Sequence, residues 1–339
     1  MTRPLVRVTR RLPAVVEEEL ASEFDLHLNE TDEPLGPAGL REALAGADAV
    51  LCTVTDRIDR AVLAGGEVRA RILANFGVGH EHIDVAAAAE RGIVVTNTPG
   101  VLTEATAELA LTLLLMVARR AGEGEREVRG GRWTGWRPTH MVGRPVTGRT
   151  LGIVGMGRIG RAVARSAQDG LGMTILYYTR SEVSLDGMRA TRLASLEALL
   201  AQSDFVSLHC PSTPETRHLI NAGRLRRMQP HACLVNTARG DVVDEPALAA
   251  ALREGVIAGA GLDVYEREPA VAPGLLELEN VVLLPHLGSA TDAARIAMGR
   301  RAHANLRAFF TGGGPDDVVR PRPVSAQPDR HAASSQPRP

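Results

Sequence analysis

The stretch LGIVGMGRIGRAVARSA, from Leu151 to Ala167, constrains the fold more than any other part of the chain. It begins with an apolar run that suits a strand buried on both faces, and it ends with apolar residues at helical spacing. We expect Gly155 to permit a tight turn, Gly157 to let a pyrophosphate approach the backbone, and Gly160 to let the helix pack on the strand. The phosphates would bind the unpaired N–H groups at the helix N-terminus.

The glycine spacing alone does not indicate a nucleotide-binding turn, because a chain with 34 glycines also has spaced glycines in ordinary packing turns. The neighbouring elements provide the distinction. The strand, the helix and a second strand, Met173 to Tyr178, predict a βαβ unit that binds a dinucleotide. Next comes Thr179, which has no charge to repel a 2′-phosphate, and Arg180, whose guanidinium can bind one. We therefore predict NADP(H) as the preferred cofactor, with NAD(H) as the alternative. Arg180 would otherwise be a solvated arginine or stack on adenine.

Composition limits the class of protein. A length of 339 residues predicts two domains, since single cores stop growing near ~250–300 residues. A net charge of −1 gives no reason to expect nucleic acid or an anionic membrane as a partner. The chain has no lysine, which excludes a Schiff-base lysine and a Walker-type phosphate loop. Three scattered cysteines and the lack of a signal peptide predict a cytoplasmic protein with buried thiols and no metal site.

The first part of the chain, from Leu5 to about Thr96, alternates short apolar strands with helical or loop stretches. Such alternation predicts a parallel sheet covered by helices. The strand Arg71 to Phe76 ends in the glycine turn FGVGHEHID, and open α/β sheets bind ligands at such strand ends. Gly77 and Gly79 could present backbone N–H groups to an anion such as a substrate carboxylate. An ordinary βα turn is the alternative.

The rest of the chain divides into a crossover, an arm and further strand–helix units. Thr103 is the expected N-cap of an apolar helix buried between elements or subunits, and residues 122–150 form a polar, glycine-rich arm. This arm carries both tryptophans and would close over a partner surface, although Trp133 could instead pack against its own domain. We predict a substrate-binding domain over residues 1–99 and 289–312, a dinucleotide-binding domain over 100–288 with a dimerisation arm over about 100–150, and a disordered tail over 313–339.

Three polar residues of the second half lie on loops that follow strands: Arg239, Glu268 and His286. Their types suit reduction of a 2-keto acid. An arginine can bind the substrate carboxylate bidentately and polarise the adjacent carbonyl. A histidine can donate a proton to the forming alkoxide, and a carboxylate beside it would stabilise the imidazolium.

The chain carries, in this order and spacing, GVGHEHID, RGIVVTNTP, GMGRIG, NTARGDVVDEPAL, AGAGLDVYEREP and LLPHLGSAT. This set resembles the D-isomer-specific 2-hydroxyacid dehydrogenases over roughly residues 47–312, and WTGWRP, YYTRS and PHLGSAT are similar to the glyoxylate/hydroxypyruvate reductases among them. The resemblance implies an α/β fold of two Rossmann-like or flavodoxin-like doubly wound parallel-sheet domains with an interdomain cleft. It further implies hydride transfer from NADPH to glyoxylate or hydroxypyruvate.

The resemblance also implies roles for individual residues. Arg239 binds and activates the substrate, His286 is the general acid/base and Glu268 is its partner. Val78 and Gly79 bind the substrate carboxylate, and Trp136 reaches into the substrate pocket of a neighbouring subunit, which implies a homodimer. The implied cofactor contacts are Gly155, Met156, Gly157, Arg158, Ile159, Gly160, Thr179, Arg180, Cys210, Pro211, Thr237, Ala238, Asp263 and Gly288.

Plainer interpretations stay open at three of these positions. Asp263 could cap a strand end, Cys210 could pack in the core, and Glu268 could lie in a surface turn before its proline. Two other functions also stay open: a dinucleotide-sensing binding protein similar to animal corepressors, and a dehydrogenase for a larger 2-keto acid. The phosphite-oxidising branch uses a lysine, which this chain lacks.

Overall fold

The computed structural model describes residues 3–321, which form two compact units. The first contains residues 3–98 and 301–321, and the second contains residues 99–300. The division at 300/301 falls inside the helix Asp292–Phe310, whereas the sequence predicts a boundary before that helix, at 288/289. The reason is that the second half of this helix belongs to the core of the first unit, where the rings of His303 and Phe310 lie against Phe24.

The first unit is built on a parallel sheet in the order β2-β1-β3-β4-β5. Every residue of β3 and β4 is buried, as expected for strands covered on both faces. Aspartates 59 and 84 cap two of the helices by accepting hydrogen bonds from backbone N–H groups three residues on. The elements are β1 Leu5–Val8, α1 Ala14–Glu23, β2 Asp25–His27, α2 Pro37–Gly46, β3 Ala49–Cys52, α3 Arg60–Ala64, β4 Ile72–Asn75, α4 Val85–Glu90 and β5 Val94–Thr96.

Edge strand β5 of this sheet is paired by residues 318 and 319, which follow α12. Val318 forms an antiparallel bridge with Thr96, and the N–H of Val319 donates to the carbonyl of Val95 at 2.8 Å. The predicted disordered tail is therefore wrong at its start, because edge strand β5 offers unpaired backbone groups that composition alone does not reveal. The remainder of that predicted tail, residues 322–339, lies outside the described residues.

The second unit is built on a seven-stranded sheet in the order β12-β11-β10-β9-β6-β7-β8, and all its pairings are parallel. Strands β7 and β8 follow on one side of β6, and strands β9 to β12 follow on the other side, so the strand order reverses between β6 and β9. Ligands of doubly wound sheets bind at such a reversal, outside the carboxyl ends of the strands. The strands are β6 Thr150–Val154, β7 Thr174–Tyr178, β8 Ala190–Arg192, β9 Phe205–Leu208, β10 Cys233–Asn236, β11 Gly259–Leu262 and β12 Val281–Leu283.

Two helices near the arm differ from the sequence predictions. The predicted polar arm begins with a helix, Ala121–Arg129, which is stabilised by pairs such as Arg129 with Glu125 one turn away. The N-cap of the preceding helix is Leu102 rather than Thr103, which is the first helical residue. The helices are α5 Thr103–Ala118, α6 Ala121–Arg129, α7 Arg158–Leu171, α8 Leu196–Gln202, α9 Ala222–Leu225, α10 Glu245–Arg253, α11 Pro273–Leu276 and α12 Asp292–Phe310.

Residues 130–149 form neither helix nor strand and carry the two tryptophans. Trp133 is 54% exposed and Trp136 is 81% exposed, so Trp133 does not pack tightly against its own unit. Within residues 3–321, none of the helices is both long enough and apolar enough to pass through a membrane.

Candidate active site

The glycine turn between β6 and α7 lies where the chain order of the second sheet reverses. Gly155 has φ of +95°, a conformation that favours glycine, and a Cβ there would lie 2.7 Å from the backbone nitrogen of Cys210. A Cβ on Gly160 would collide with the carbonyl oxygen of Gly155. A Cβ on Gly157 would meet nothing within 4 Å. Close packing therefore requires the first and third glycines, and the backbone at the second faces open space.

These features fit a dinucleotide pyrophosphate. Helix α7 starts at Arg158 after Gly157, which has no side chain to cap the first N–H groups of the helix. Ile159 is half-buried, and Met156 is buried in the core, so Met156 can contact a cofactor only through its backbone. Among the described residues, Thr237 at the end of β10 has a buried hydroxyl without a hydrogen-bond partner, which a ligand would satisfy.

The two residues predicted to contact the ribose and its 2′-phosphate follow β7 directly. Thr179 is half-buried and Arg180 is exposed. Strand β8, which is too short and exposed to be predicted from the sequence, brings Arg192 next to them. Its Nη2 donates to the carbonyl oxygens of Thr179 at 3.0 Å and Arg180 at 3.3 Å. The loop therefore carries two positive charges, and one of them holds its backbone in place.

The loop after β9 contributes His209, Cys210 and Pro211. Burial lowers the pKa of His209 to about 4, so its ring is neutral at pH 7 and Nε2 lies 2.8 Å from the hydroxyl of Ser207. Burial raises the pKa of Cys210 to about 11, and this thiol packs against the apolar core on one side of the sheet. Cys210 therefore contributes a neutral, apolar surface beside the glycine turn.

Three neighbouring strands, β10, β11 and β12, lead into the loops that carry Arg239, Glu268 and His286. His286 Nδ1 lies 2.8 Å from Glu268 Oε2. The two side chains are 32% and 33% exposed, so each can still reach a ligand. The fold thus makes neighbours of two residues that lie far apart in the sequence.

Arg239 is held near this pair by its own loop. Asn236 accepts a hydrogen bond from the N–H of Ala238 at 3.0 Å and donates to the carbonyl of Arg239 at 2.9 Å. The next residue, Gly240, packs so closely on the backbone of Tyr265 that a Cβ would overlap it. Sequence reasoning missed Asn236 and Gly240, although both stand within the motif NTARG.

The His286 loop is anchored by Asp263. One carboxylate oxygen accepts from the N–H of Leu287 at 2.6 Å and the other from the N–H of Gly288 at 2.8 Å. The N–H of His286 also donates to the carbonyl of Asp263 at 2.9 Å. These bonds hold His286 at φ of +57°, a strained conformation that typically costs on the order of 1–3 kcal/mol. Asp263 thus caps the strand end, the plainer interpretation, whereas contact with a cofactor stays a prediction.

The charges at these loops are set by burial and by their neighbours. Burial raises the pKa of the Glu268 carboxyl, but the hydrogen bond and charge of His286, the N–H of Tyr265 and the charge of Arg239 outweigh it, so this pKa lies below its ordinary value. Burial raises the pKa of Asp263 despite its two backbone hydrogen bonds. Burial lowers the pKa of Arg295, a half-buried cation near Asp263 that the helical pattern offers no reason to select. Glu268 is therefore ionised at neutral pH.

Val78 and Gly79 belong to the first unit, in the loop after β4. Both are half-buried, and the carbonyl of Val78 accepts a hydrogen bond from the side chain of Asn97 at 2.8 Å. Of the predicted residues, the second unit brings together Arg239, Glu268 and His286 on adjacent loops. Trp136 is largely exposed within the chain.

Comparison with known proteins agrees with this geometry. Residues 111–288 match the family model for the D-isomer specific 2-hydroxyacid dehydrogenase, NAD binding domain. The chain is 48% identical over 331 residues to the glyoxylate reductase of Korarchaeum cryptofilum, covering 96% of this chain and 98% of that protein.

Two solved structures extend the comparison. A protein of Thermus thermophilus has a TM-score of 0.85 and 44% identity, covering 93% of this chain and 99% of that one. The NADPH-dependent glyoxylate/hydroxypyruvate reductase of Sinorhizobium meliloti, solved with NADP and malonate, has a TM-score of 0.82 and 36% identity, covering 95% and 100%. The chain therefore belongs to the family of D-isomer specific 2-hydroxyacid dehydrogenases, oxidoreductases with a domain that binds a nicotinamide dinucleotide.

Proposed function

We propose that this protein reduces glyoxylate to glycolate and hydroxypyruvate to D-glycerate, with NADPH as the preferred cofactor. The observation that carries the proposal is the His286–Glu268 pair at 2.8 Å, with the charge of Arg239 acting on the same carboxylate. The names of the relatives in Korarchaeum cryptofilum and Sinorhizobium meliloti support this substrate class.

Each residue has a defined task in the proposed reaction. In the second unit, Arg239 binds the substrate and polarises its carbonyl. In the first unit, the N–H groups of Val78 and Gly79 are suited to bind a carboxylate. A dinucleotide held at the glycine turn between Gly155 and Gly160 would supply the hydride for C2 of the substrate. His286 donates its Nε2 proton to the oxygen that becomes the hydroxyl, since Nδ1 faces Glu268. Ionised Glu268 stabilises the imidazolium before the transfer.

The preference for NADPH is proposed from the residues after β7. Neither Thr179 nor Arg180 carries a negative charge, and Arg192 adds a second guanidinium at the same loop. A 2′-phosphate bears negative charge that two arginines stabilise, whereas NADH offers only neutral hydroxyls there. The Sinorhizobium relative is named as NADPH-dependent, which supports the same preference.

We also propose a homodimer in which the arm covers a second copy of the chain. Five of the large exposed apolar side chains of the second unit lie between residues 115 and 142, and exposed apolar surface of this kind typically marks an interface. They are Leu115, Val128, Trp133, Trp136 and Val142. In the dimer, Trp136 would reach the substrate pocket of the neighbouring subunit.

The decisive experiment is the loss of NADPH absorbance when glyoxylate, hydroxypyruvate, pyruvate or phenylpyruvate is added to the purified protein. If glyoxylate and hydroxypyruvate are reduced fastest, the result supports the proposal. If phenylpyruvate is reduced fastest, the substrate is a larger 2-keto acid, and if none of the four is reduced, the enzymatic function is refuted.

His286→Ala should lower kcat by roughly 10²- to 10⁴-fold while NADPH still binds. The matched control is His231→Ala, since His231 also pairs with a carboxylate, that of Asp204 at 2.6 Å, but before the start of β10.

A further inference from the structure

The side chain of Asn75 stabilises the loop between β4 and α4 by donating hydrogen bonds to its backbone. Its Nδ2 donates to the carbonyl oxygens of Gly77 at 3.1 Å and Gly79 at 2.7 Å. The carbonyl of Gly77 also accepts from the N–H of Thr98 at 2.9 Å. One side chain therefore fixes two carbonyl groups of the loop on the same side.

A second asparagine fixes the carbonyl between them. Asn97 Nδ2 donates to the carbonyl of Val78 at 2.8 Å. The backbone of Asn97 is fixed in turn, because its carbonyl accepts from Asn305 Nδ2 at 3.2 Å and its N–H donates to the carbonyl of Asp317 at 3.2 Å. Asp317 also pairs with Arg301 of α12, with one N–O distance of 2.8 Å. Asn305 in α12 and Asp317 after it thus fix the position of Asn97, which in turn fixes the carbonyl of Val78.

The direction of each N–H group follows from these bonds. A trans peptide unit is planar, with its N–H pointing away from its C=O. The carbonyls of Gly77, Val78 and Gly79 share their peptide units with the N–H groups of Val78, Gly79 and His80. Since Asn75 and Asn97 bind the three carbonyls, they also fix the orientation of the three N–H groups. A run of oriented N–H groups of this kind is suited to bind an anion.

We propose that Asn75 and Asn97 are positioning residues that hold the N–H groups of the loop 77–80 in the orientation that binds the substrate carboxylate. This inference rests on the proposed function and adds two residues to it, neither of which touches the substrate. Donors that are already oriented lose no energy to reorganisation when the anion binds, so the contribution should appear in affinity for the acid.

The burial of Asn75 supports a role beyond packing. It ends a strand whose four residues are all buried, and only 1% of its surface is exposed. Within the described residues, its Oδ1 is buried without a hydrogen-bond partner, which is energetically unfavourable. An apolar side chain would avoid that cost, so the residue is better explained by the two hydrogen bonds it donates to the loop.

The test replaces each asparagine by leucine, which has a similar shape but donates no hydrogen bond. For Asn75→Leu and Asn97→Leu we expect the KM for glyoxylate and the inhibition constant for oxalate to rise roughly tenfold to a hundredfold. The dissociation constant for NADPH, measured by fluorescence, should not change.

The matched control is Asn29→Leu. Asn29 is buried in the same unit, and its Nδ2 also donates to two carbonyls, those of Thr9 at 2.8 Å and Glu33 at 2.7 Å. This variant should lose thermal stability and keep the wild-type KM. Equal KM values in all three variants would overturn the inference, as would an equal loss of NADPH affinity in the two loop variants. If Asn75→Leu does not fold, Asn97→Leu and Asn97→Ala decide in the same way.

A binding measurement tests the role of Asn75 and Asn97 even if the protein turns out not to reduce glyoxylate or hydroxypyruvate. If the wild type reduces no keto acid, oxalate binding is measured by calorimetry with NADPH present. Oxalate that binds the wild type and binds the two loop variants at least tenfold more weakly would support the positioning role, although the substrate would be wrong. Oxalate that does not bind the wild type, or binds all variants equally, would overturn it.

Discussion

Single side chains decide which charges the cofactor loop presents. We expect Arg180→Ala to raise the KM for NADPH roughly tenfold or more and to leave the KM for NADH nearly unchanged, because only the 2′-phosphate forms a charge-assisted hydrogen bond there. Steady-state kinetics with both cofactors measure this. Arg189→Ala is the control, since Arg189 is an exposed arginine just before β8. Equal losses for NADPH and NADH would show that Arg180 does not read the phosphate.

The charge of Glu268 makes a second prediction, about stability and pH. Because its pKa is lowered in the folded protein, ionised Glu268 stabilises the fold above its unfolded pKa, and this contribution is lost as the pH falls through the folded value. The Tm advantage of the wild type over Glu268→Gln should therefore be full above the ordinary pKa of a glutamate, about 4.3, and shrink as the pH falls below it.

Differential scanning calorimetry at several pH values measures this Tm difference. The control is Glu277→Gln, whose side chain is 75% exposed, so its difference should vary little with pH. A Glu268→Gln difference that grows toward acid would contradict the assignment of a lowered pKa.

The element that most depends on one residue is the βαβ unit formed by β6, α7 and β7. We expect Gly160→Ala to destabilise the protein by about 1–3 kcal/mol, because the added methyl group overlaps the carbonyl of Gly155. It should also weaken NADPH binding, since α7 must move away from the turn. Urea unfolding and fluorescence titration measure the two effects.

The same helix supplies the control. Gly170 also lies in α7, and a Cβ there would meet nothing within 4 Å. Gly170→Ala should therefore stabilise the protein by about 0.5–1 kcal/mol, because alanine is the better helix former. If both variants had the same stability, the close contact between α7 and β6 would not explain the third glycine.

The sequence predicted the elements whose side chains are buried and missed those stabilised by backbone pairing or exposed charges. Strands such as β3 and β4 are continuous apolar runs, which the sequence shows directly. Strand β8 and the bridge at Val318 depend on a neighbouring edge, which a local pattern does not contain.

At the candidate site, Arg239, Glu268 and His286 could be selected as types that suit the chemistry. Asn75 and Asn97 could not, because their role depends on which carbonyls they bind in the folded loop.

The oligomeric state is a property of the whole molecule. We expect the wild type to have twice the chain mass of 36.1 kDa in light scattering, and Val128→Asp to reduce it to a monomer, because a charge in an apolar interface is costly. Val128 is 60% exposed in the chain, and Leu276, which is 63% exposed outside the arm, provides the control Leu276→Asp. A wild-type monomer, or a dimer that Val128→Asp leaves intact, would contradict the proposed interface.

The first unit is built from two separate stretches of the chain, residues 3–98 and 301–321. Residues 3–98 precede the second unit in the chain, but the rings of Phe309 and Phe310 that lie near Arg71 are synthesised only after the whole second unit. Domains fold as units during synthesis. The dinucleotide-binding unit is continuous in the chain and can therefore become native during synthesis before residues 3–98 can pack against the second half of α12.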